Sequence, residues 1–137
     1  MIYVQMIGIT KRFPGVLAND HVSLDLFKGE IHGLLGENGA GKTTLMNILF
    51  GLYRPDAGQI LIRGEPVTLH SPADAIRLGI GMVHQHFKLV PPFTVTENII
   101  LGMKDSAFID MKAAEQQVAH LAEEYGLKID PTARVQE

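Results

Sequence analysis

The sequence contains no cysteine and no long hydrophobic run. Without cysteine there is no disulfide scaffold, no thiolate metal site and no cysteine nucleophile. No apolar stretch approaches the roughly 20 residues that span a bilayer. The apolar start, residues 1–10, lacks the basic region and the small-residue cleavage site of a signal peptide. These absences predict a cytoplasmic chain that reaches a membrane only through a partner.

The sequence also lacks an excess of basic charge. Twelve Lys and Arg residues against 15 Asp and Glu residues give a formal net charge of −3. This balance offers no electrostatic footprint for nucleic acid or for an anionic membrane, so no nucleic-acid partner is expected. With 137 residues, 46% of them apolar, the chain fits one small domain or part of a larger one with a packed core.

Alternating and short apolar segments predict the strands. Alternation predicts strands over residues 2–13 and 22–27, and short apolar segments predict buried strands over residues 31–35 and 80–85. Turn chemistry at residues 55–58 leads into a further predicted strand over 59–63, which ends where Gly64 turns the chain again.

Capping residues and helical periodicity predict four helices. The first covers residues 42–50 after a glycine-rich loop. The second runs from Ser71 to Gly79, with Asp74 at capping-box spacing. Thr94 and Glu97 have the same spacing for a third helix to about Met103, and Asp110 caps a fourth that reaches Tyr125. The fourth helix carries an apolar stripe made by Met111, Ala114, Val118, Leu121 and Tyr125.

One motif carries specific chemistry. It matches G-x-x-x-x-G-K-[ST], the P-loop, and consists of Gly36, Glu37, Asn38, Gly39, Ala40, Gly41, Lys42 and Thr43. Glycines let the backbone approach bulky phosphate oxygens, so that successive N–H groups and the following helix form an anion site. Lys42 supplies a charge for the β- and γ-phosphates, and Thr43 offers a hydroxyl to Mg²⁺. An accidental match arises in roughly one chain in two hundred of this length.

The run from Gly36 to Leu45 resembles the nucleotide-binding domain of ABC transporters. The segment 52–60, with Pro55, Asp56 and Gly58, resembles the part of the family that follows the P-loop. Residues 80–85 followed by 94–98 resemble the family's Q-loop and the opening of its helical subdomain. Within the family, residues 11–15 and 83–86 look most like importers of simple sugars or nucleosides.

The resemblance implies roles for individual residues. Phe13 is expected to stack on the adenine ring of ATP. The phosphates are expected to contact the P-loop residues named above together with Thr44. Gln85 is expected to reach Mg²⁺ with Thr43, to meet the attacking water and to sense the membrane partner. Lys42 and Gln85 are the only residues of the chain with an expected catalytic role.

The resemblance also implies an α/β fold, the core of a P-loop NTPase of the ABC ATPase type. The core is expected to be incomplete, with an antiparallel β subdomain and the start of the helical subdomain. Residues 1–92 are predicted to hold the front part of the nucleotide-binding core, and residues 93–137 the start of the helical subdomain. The chain ends about where the family's LSGGQ-like motif begins. The expectation is therefore nucleotide binding without turnover.

Implied partners are ATP, integral membrane permease subunits and a second nucleotide-binding domain, with a location at the inner face of the cell membrane. An ABC-type ATPase acting on nucleic acid or in translation, and a non-catalytic nucleotide-binding module, remain alternatives. A GTPase is disfavoured because no N-K-x-D run is present.

His84 and His86 share a face of the predicted strand but lack further metal ligands. The contexts of Ser23, Ser71 and Ser106 explain them without catalysis.

Overall fold

The computed structural model describes residues 1–86, 88–101, 103 and 110–135. They belong to two compact units, Met1–Val83 and His84–Glu137. The predicted division after residue 92 remains a proposal. Ser106, Gly102 within the third predicted helix, and the last two residues of the predicted helical subdomain lie outside the described residues.

A four-stranded antiparallel sheet forms the framework of the first unit. Its strands are β1 (Ile2–Phe13), β2 (Val16–Phe27), β3 (Ala57–Ile62) and β4 (Glu65–Val67), in the order β2-β1-β3-β4. Along β2 the alternation predicted for residues 22–27 is present: Val22, Leu24 and Leu26 are half-buried while the side chains between them are exposed. This is the antiparallel subdomain that the sequence led us to expect.

Two hairpin turns extend the sheet beyond the prediction. A turn at Pro14 and Gly15, with Gly15 at φ +77°, sets Val16 opposite Phe13, so β2 begins six residues earlier than predicted. Arg63 and Gly64 both have positive φ, 54° and 85°. Such a pair makes the two-residue turn that matches strand twist. It adds β4, which was not predicted.

The two buried strands predicted at residues 31–35 and 80–85 are absent, and this part of the prediction is wrong. Ile31 and Leu35 are almost completely exposed, and Val83 is 83% exposed. A central strand of an α/β core needs paired neighbours and covered faces. Within the described ranges no strand pairs with either segment. Apolar composition alone therefore does not produce a strand here.

Helices α1 (Lys42–Leu49) and α2 (Pro72–Arg77) complete the first unit. The α1 helix agrees with the prediction, and Gly51 follows its end at φ +77°. Its Leu45, Ile48 and Leu49 join residues of the sheet and of α2 in one core. That core contains Val4, Met6, Ile9, Leu45, Ile48, Leu49, Phe50, Ile60, Ile62, Leu69 and Ala75.

The capping box predicted for α2 is not formed. Ser71 occupies the N-cap position, but its side chain accepts no hydrogen bond from the helix. Its hydroxyl instead donates to Asp74 Oδ2 at 3.3 Å, and the same oxygen accepts the N–H of His70 at 2.9 Å. The Asp74 carboxylate thus reaches one residue further back than a capping box requires, because it bonds the amide before the N-cap.

The second unit contains α3 (Val95–Ile100) and α4 (Met111–Glu124). The capping box of α3 is present as predicted: Glu97 N donates to Thr94 Oγ1 at 3.1 Å, and Thr94 N donates to Glu97 Oε2 at 2.7 Å. Asp110 caps α4 by accepting the N–H of Ala113 at 3.1 Å. The α3 helix ends at Ile100, three residues before the predicted end.

The apolar stripe of α4 is only partly correct. Val118 is buried as predicted, but the buried residue of the next turn is Ala122. Leu121 and Tyr125 are 49% and 70% exposed. Steps of three and four residues both stay on one helix face, so periodicity alone does not distinguish Leu121 from Ala122. None of the helices in the described part of the chain is both long enough and apolar enough to cross a bilayer.

Candidate functional site

The P-loop lies between residue 35 and α1, in the first unit. Residues 36–40 are exposed, and the N–H of Ala40 donates to Glu37 O at 3.2 Å to close a turn. Gly39 and Gly41 have φ values of +84° and +87°. These left-handed conformations favour glycine and turn the chain sharply into the helix.

Space around the loop is tight at Gly36 and excludes a side chain at Gly41. A Cβ atom on Gly36 would lie 3.3 Å from Ala40 Cβ and 3.5 Å from Lys42 Cδ. A Cβ atom on Gly41 would lie 2.1 Å from Ala18 O, a distance that no structure accommodates. The backbone of the loop is therefore packed against its own lysine at one end and against β2 at the other.

Lys42 closes the loop. Its Nζ donates to Gly36 O at 2.6 Å and to Glu37 O at 2.7 Å. The side chain thus runs back from the first residue of α1 to the start of the loop. It holds one positive charge against main-chain carbonyl groups, and a phosphate oxygen would be a stronger, charged acceptor for the same ammonium.

The start of α1 adds donors of the same polarity. The N–H of Leu45 bonds to Gly41 O at 2.9 Å, which is the first bond of the helix. The amides of Lys42, Thr43 and Thr44 come before it and have no acceptor within the helix. The first turn contains no acidic residue. Free amides, the helix dipole and one lysine together favour an anion with several oxygens.

The loop residues fit a magnesium ion that is held mainly by phosphate. The side chain of Thr43 is exposed beside Lys42, whereas that of Thr44 is half-buried. Among the residues that the structure describes, no group of three or more His, Asp or Glu side chains is placed to hold a metal. Mg²⁺ commonly takes one or two protein ligands and completes its shell with phosphate oxygens and water. The exposed Thr43 hydroxyl is a group that could supply one such ligand.

Phe13 ends β1 in an aromatic pair. Its ring lies edge-on to the ring of Tyr53, with centroids 5.4 Å apart and an interplanar angle of 74°. Lys11 Nζ lies 5.6 Å from the centroid of the Phe13 ring. In the β1–β2 ladder Lys11 is opposite Asn19, and Asn19 contacts Gly41. Phe13 and the P-loop therefore lie toward the same end of this hairpin.

Asp56 fixes the end of β1 that carries Phe13. Its carboxylate accepts the N–H of Arg12 at 2.6 Å and the ammonium of Lys11 at 3.2 Å, and its own N–H donates to Thr10 O at 2.8 Å. These contacts, the Arg12 amide first, hold the pKa of the Asp56 carboxyl below its usual range. These hydrogen bonds connect the end of β1 to the start of β3.

The predicted phosphate-binding residues 36–44 lie together in the first unit, whereas Gln85 lies in the second unit. Gln85 is exposed and belongs to the second unit, so its role toward magnesium remains a proposal. Sequence reasoning overlooked Asn19, Tyr53 and Asp56 as supports of the site. Asn19 is a polar residue that is buried in β2, and this burial indicates its role as a support of the site. Asp56 was interpreted only as a turn residue.

The chain matches the family model described as "ABC transporter" over residues 19–137. It is 58% identical over 133 residues to the guanosine import ATP-binding protein NupO of Bacillus subtilis, covering 96% of this chain and 26% of that protein. It is 54% identical over 136 residues to the nucleoside import ATP-binding protein NupA of Lactococcus lactis, covering 98% and 27%. The chain thus spans about a quarter of the length of these curated relatives.

Solved structures give the same result at the level of fold. A nucleotide-free ATP-binding cassette from an ABC transporter superposes with a TM-score of 0.81 at 25% identity, over 100% of this chain and 59% of that chain. An ATP-binding cassette of an ABC transporter in its ADP conformation has a TM-score of 0.81 at 24% identity, with the same coverage. The α/β assignment of an incomplete P-loop core with an antiparallel subdomain is thereby confirmed.

Proposed function

The chain belongs to the ABC transporter family, and from this membership we propose that it forms the front part of the ATP-binding subunit of an importer. In this function the P-loop binds ATP with Mg²⁺, and the intact protein hydrolyses ATP to drive uptake of a simple sugar or nucleoside. The names of NupO, NupA and the ribose import ATP-binding protein of Rubrobacter xylanophilus support the solute class.

The observation that carries the proposal is the contact of Lys42 with the loop. Its ammonium lies 2.6 and 2.7 Å from the carbonyl oxygens of Gly36 and Glu37, at the centre of a turn with two left-handed glycines. A lysine without a binding role would be expected to extend into solvent and not to donate to two main-chain carbonyl groups beside the start of a helix. The contact is explained if Lys42 exchanges these carbonyl acceptors for phosphate oxygens.

Each residue of the site has a role in the proposed binding. Phe13 stacks on adenine, a contact worth about 1 kcal/mol beyond area burial. The amides of residues 36–44 and the ammonium of Lys42 hold the phosphates. Thr43 and Gln85 are the residues that would hold Mg²⁺, which when bound neutralises charge on the β- and γ-phosphates.

The remaining roles follow from the family and concern the intact protein. Its partners are integral membrane permease subunits and a second nucleotide-binding domain, and it lies at the inner face of the cell membrane through the permease. Nucleotide binding is proposed for the present residues, and ATP turnover is proposed for the intact protein. The nucleic-acid alternative has no support in the relatives named above, which are import proteins.

A calorimetric titration tests the nucleotide and the metal together. The chain is titrated with ATP and with GTP in Mg²⁺, and again with ATP in EDTA. We expect saturable ATP binding that weakens without Mg²⁺ and is stronger than GTP binding. Thr43→Val is expected to remove most of the Mg²⁺ dependence, whereas Thr68→Val, an exposed threonine outside the loop, serves as the matched control. ATP binding that ignores both Mg²⁺ and Thr43→Val would contradict the assigned metal ligand.

A further inference from the structure

Asn19 of β2 is a buried polar residue that contacts the P-loop. It is 4% exposed, and its Nδ2 donates to Gly41 O at 3.1 Å. The same oxygen accepts the N–H of Leu45 at 2.9 Å, the first hydrogen bond of α1. One carbonyl group therefore joins β2, the end of the loop and the start of the helix.

The main chain of β2 packs as closely as the side chain. With Gly41 at φ +87°, a Cβ atom there would lie 2.1 Å from Ala18 O and 2.8 Å from Asn19 Nδ2. Gly41, the residue before α1, thus lies directly against Ala18 and Asn19. The turn from which α1 begins is therefore in contact with both the main chain and a side chain of β2.

Packing alone does not explain an amide at this position. Asn19 Oδ1 is buried and has no hydrogen-bond partner in the described part of the chain. A buried carbonyl without a partner is unfavourable, and an apolar side chain of similar volume would avoid it. What leucine cannot supply is the N–H donor, and the acceptor of that donor is Gly41 O.

We propose that Asn19 is a positioning residue for phosphate binding, since it holds the Gly41 carbonyl and thereby fixes the left-handed turn that aims the amides of residues 42–44. The Lys42 side chain starts from the same turn, so its reach to the loop depends on the same contact. This inference rests on the proposed function, because it takes the loop to bind nucleotide phosphates.

The experiment compares three β2 variants by titration with Mg-ATP and by thermal unfolding. Asn19→Leu removes the donor and the unpaired oxygen, and Asn19→Asp keeps the shape with an acceptor in place of the donor. Ser23→Ala is the matched control, because Ser23 Oγ accepts the N–H of Gly8 at 2.9 Å elsewhere on β2. We expect ATP affinity about three- to tenfold weaker in both Asn19 variants and unchanged in Ser23→Ala. The melting midpoint of Asn19→Leu should equal or exceed that of the unmodified chain.

Hydrogen exchange without nucleotide gives a second readout of positioning. If Asn19 fixes the turn, the Leu45 amide exchanges faster in Asn19→Leu, while amides of the β1–β2 ladder keep their rates. A structural role in the sheet alone would change the ladder amides instead. This readout does not depend on nucleotide, so it tests the contact even if the chain binds none.

The outcomes separate the inference from the proposed function. If Lys42→Ala weakens ATP binding while Asn19→Leu binds as the unmodified chain does, the inference is overturned and the proposed function stands. If the unmodified chain does not bind ATP, the proposed function fails for this chain. Unchanged Leu45 exchange in Asn19→Leu then overturns the inference as well. Parallel losses of affinity and melting midpoint in all three variants would also overturn it, as they would indicate a general loss of fold.

Discussion

At the scale of single residues, Gly39 and Gly41 share a left-handed conformation but differ in their surroundings. An alanine Cβ at position 39 meets nothing within 4 Å, whereas at position 41 it meets Ala18 O at 2.1 Å. The two positions therefore separate the conformational demand of the P-loop from the demand of packing against β2.

We predict that Gly39→Ala and Gly41→Ala destabilise the chain unequally. The left-handed backbone costs an alanine about 1–2 kcal/mol at either site, and the overlap at Gly41 adds about 1–3 kcal/mol or more. Chemical denaturation followed by circular dichroism compares the two variants by the shift of their denaturation midpoints. Equal destabilisation by the two substitutions would contradict the close contact between Gly41 and β2.

A second residue-scale prediction concerns pH and Asp56. The amide of Arg12 and then the ammonium of Lys11 lower the pKa of the folded carboxyl, so the stability it contributes is present above its unfolded pKa of about 3.9 and is lost as pH falls through the folded value. We expect Asp56→Ala to lower the melting midpoint at pH 7 and to match the unmodified chain at the acid end of a series from pH 7 to pH 2. Asp25→Ala, on the exposed face of β2, is the control. If the difference in melting midpoint between Asp56→Ala and the unmodified chain grows as the pH falls, the predicted sign of the pH dependence is wrong.

At the scale of elements, capping motifs predict helix starts well but do not guarantee the capping bonds. Both Thr94 with Glu97 and Ser71 with Asp74 have the spacing of a capping box, and only the first pair forms it. In α2 the carboxylate of Asp74 bonds His70 N, outside the helix. The spacing indicates which hydrogen bonds are possible. Which of them form depends on the conformation of the residues that precede the helix.

We predict from this difference that Thr94→Ala costs more than Ser71→Ala. Loss of the bond from Glu97 N should destabilise α3 by about 1 kcal/mol, whereas Ser71 caps no helix amide and its removal should cost less than about 0.5 kcal/mol. Hydrogen exchange at the Asn98 amide reports on α3, and thermal unfolding reports on the first unit. An equal loss of stability in Thr94→Ala and Ser71→Ala would contradict the assigned hydrogen bonds.

Some strands and helices could be predicted from the sequence, and others could not. Alternation predicted β1 and the second half of β2 because each has one covered face, and the P-loop motif predicted the start of α1 at Lys42. Apolar composition was misleading at residues 31–35 and 80–85, because a buried parallel strand depends on neighbours that lie elsewhere in the fold. The contact between Asn19 and Gly41 could not be predicted, since 22 residues separate its two partners.

At the scale of the whole molecule, the exposed apolar segment that includes Ile31, Leu34 and Leu35 determines how the chain behaves alone. Leu35 is 95% exposed, and Ile31 is completely exposed. An apolar segment that precedes the P-loop without strand partners favours association. We expect the chain to self-associate with concentration and to unfold without a sharp two-state transition when dilute.

Leu35→Glu tests this expectation. Since Leu35 contributes almost no buried surface, the substitution should reduce self-association in light scattering and analytical ultracentrifugation while leaving the melting midpoint unchanged. Leu127→Glu, at a half-exposed position of the second unit, is the matched control. A dilute monomer with a sharp two-state melt, unaffected by Leu35→Glu, would contradict the account.

Residues 36–43 are proposed to form a phosphate-binding site with Lys42 at its centre. The most direct measurement is a calorimetric titration of the folded chain with Mg-ATP, beside Lys42→Ala and the control Lys28→Ala, an exposed lysine on the turn after β2. We expect saturable binding that is at least about tenfold weaker in Lys42→Ala and unchanged in Lys28→Ala. Binding that is equal in all three proteins, or absent from a chain shown to be folded, would contradict it.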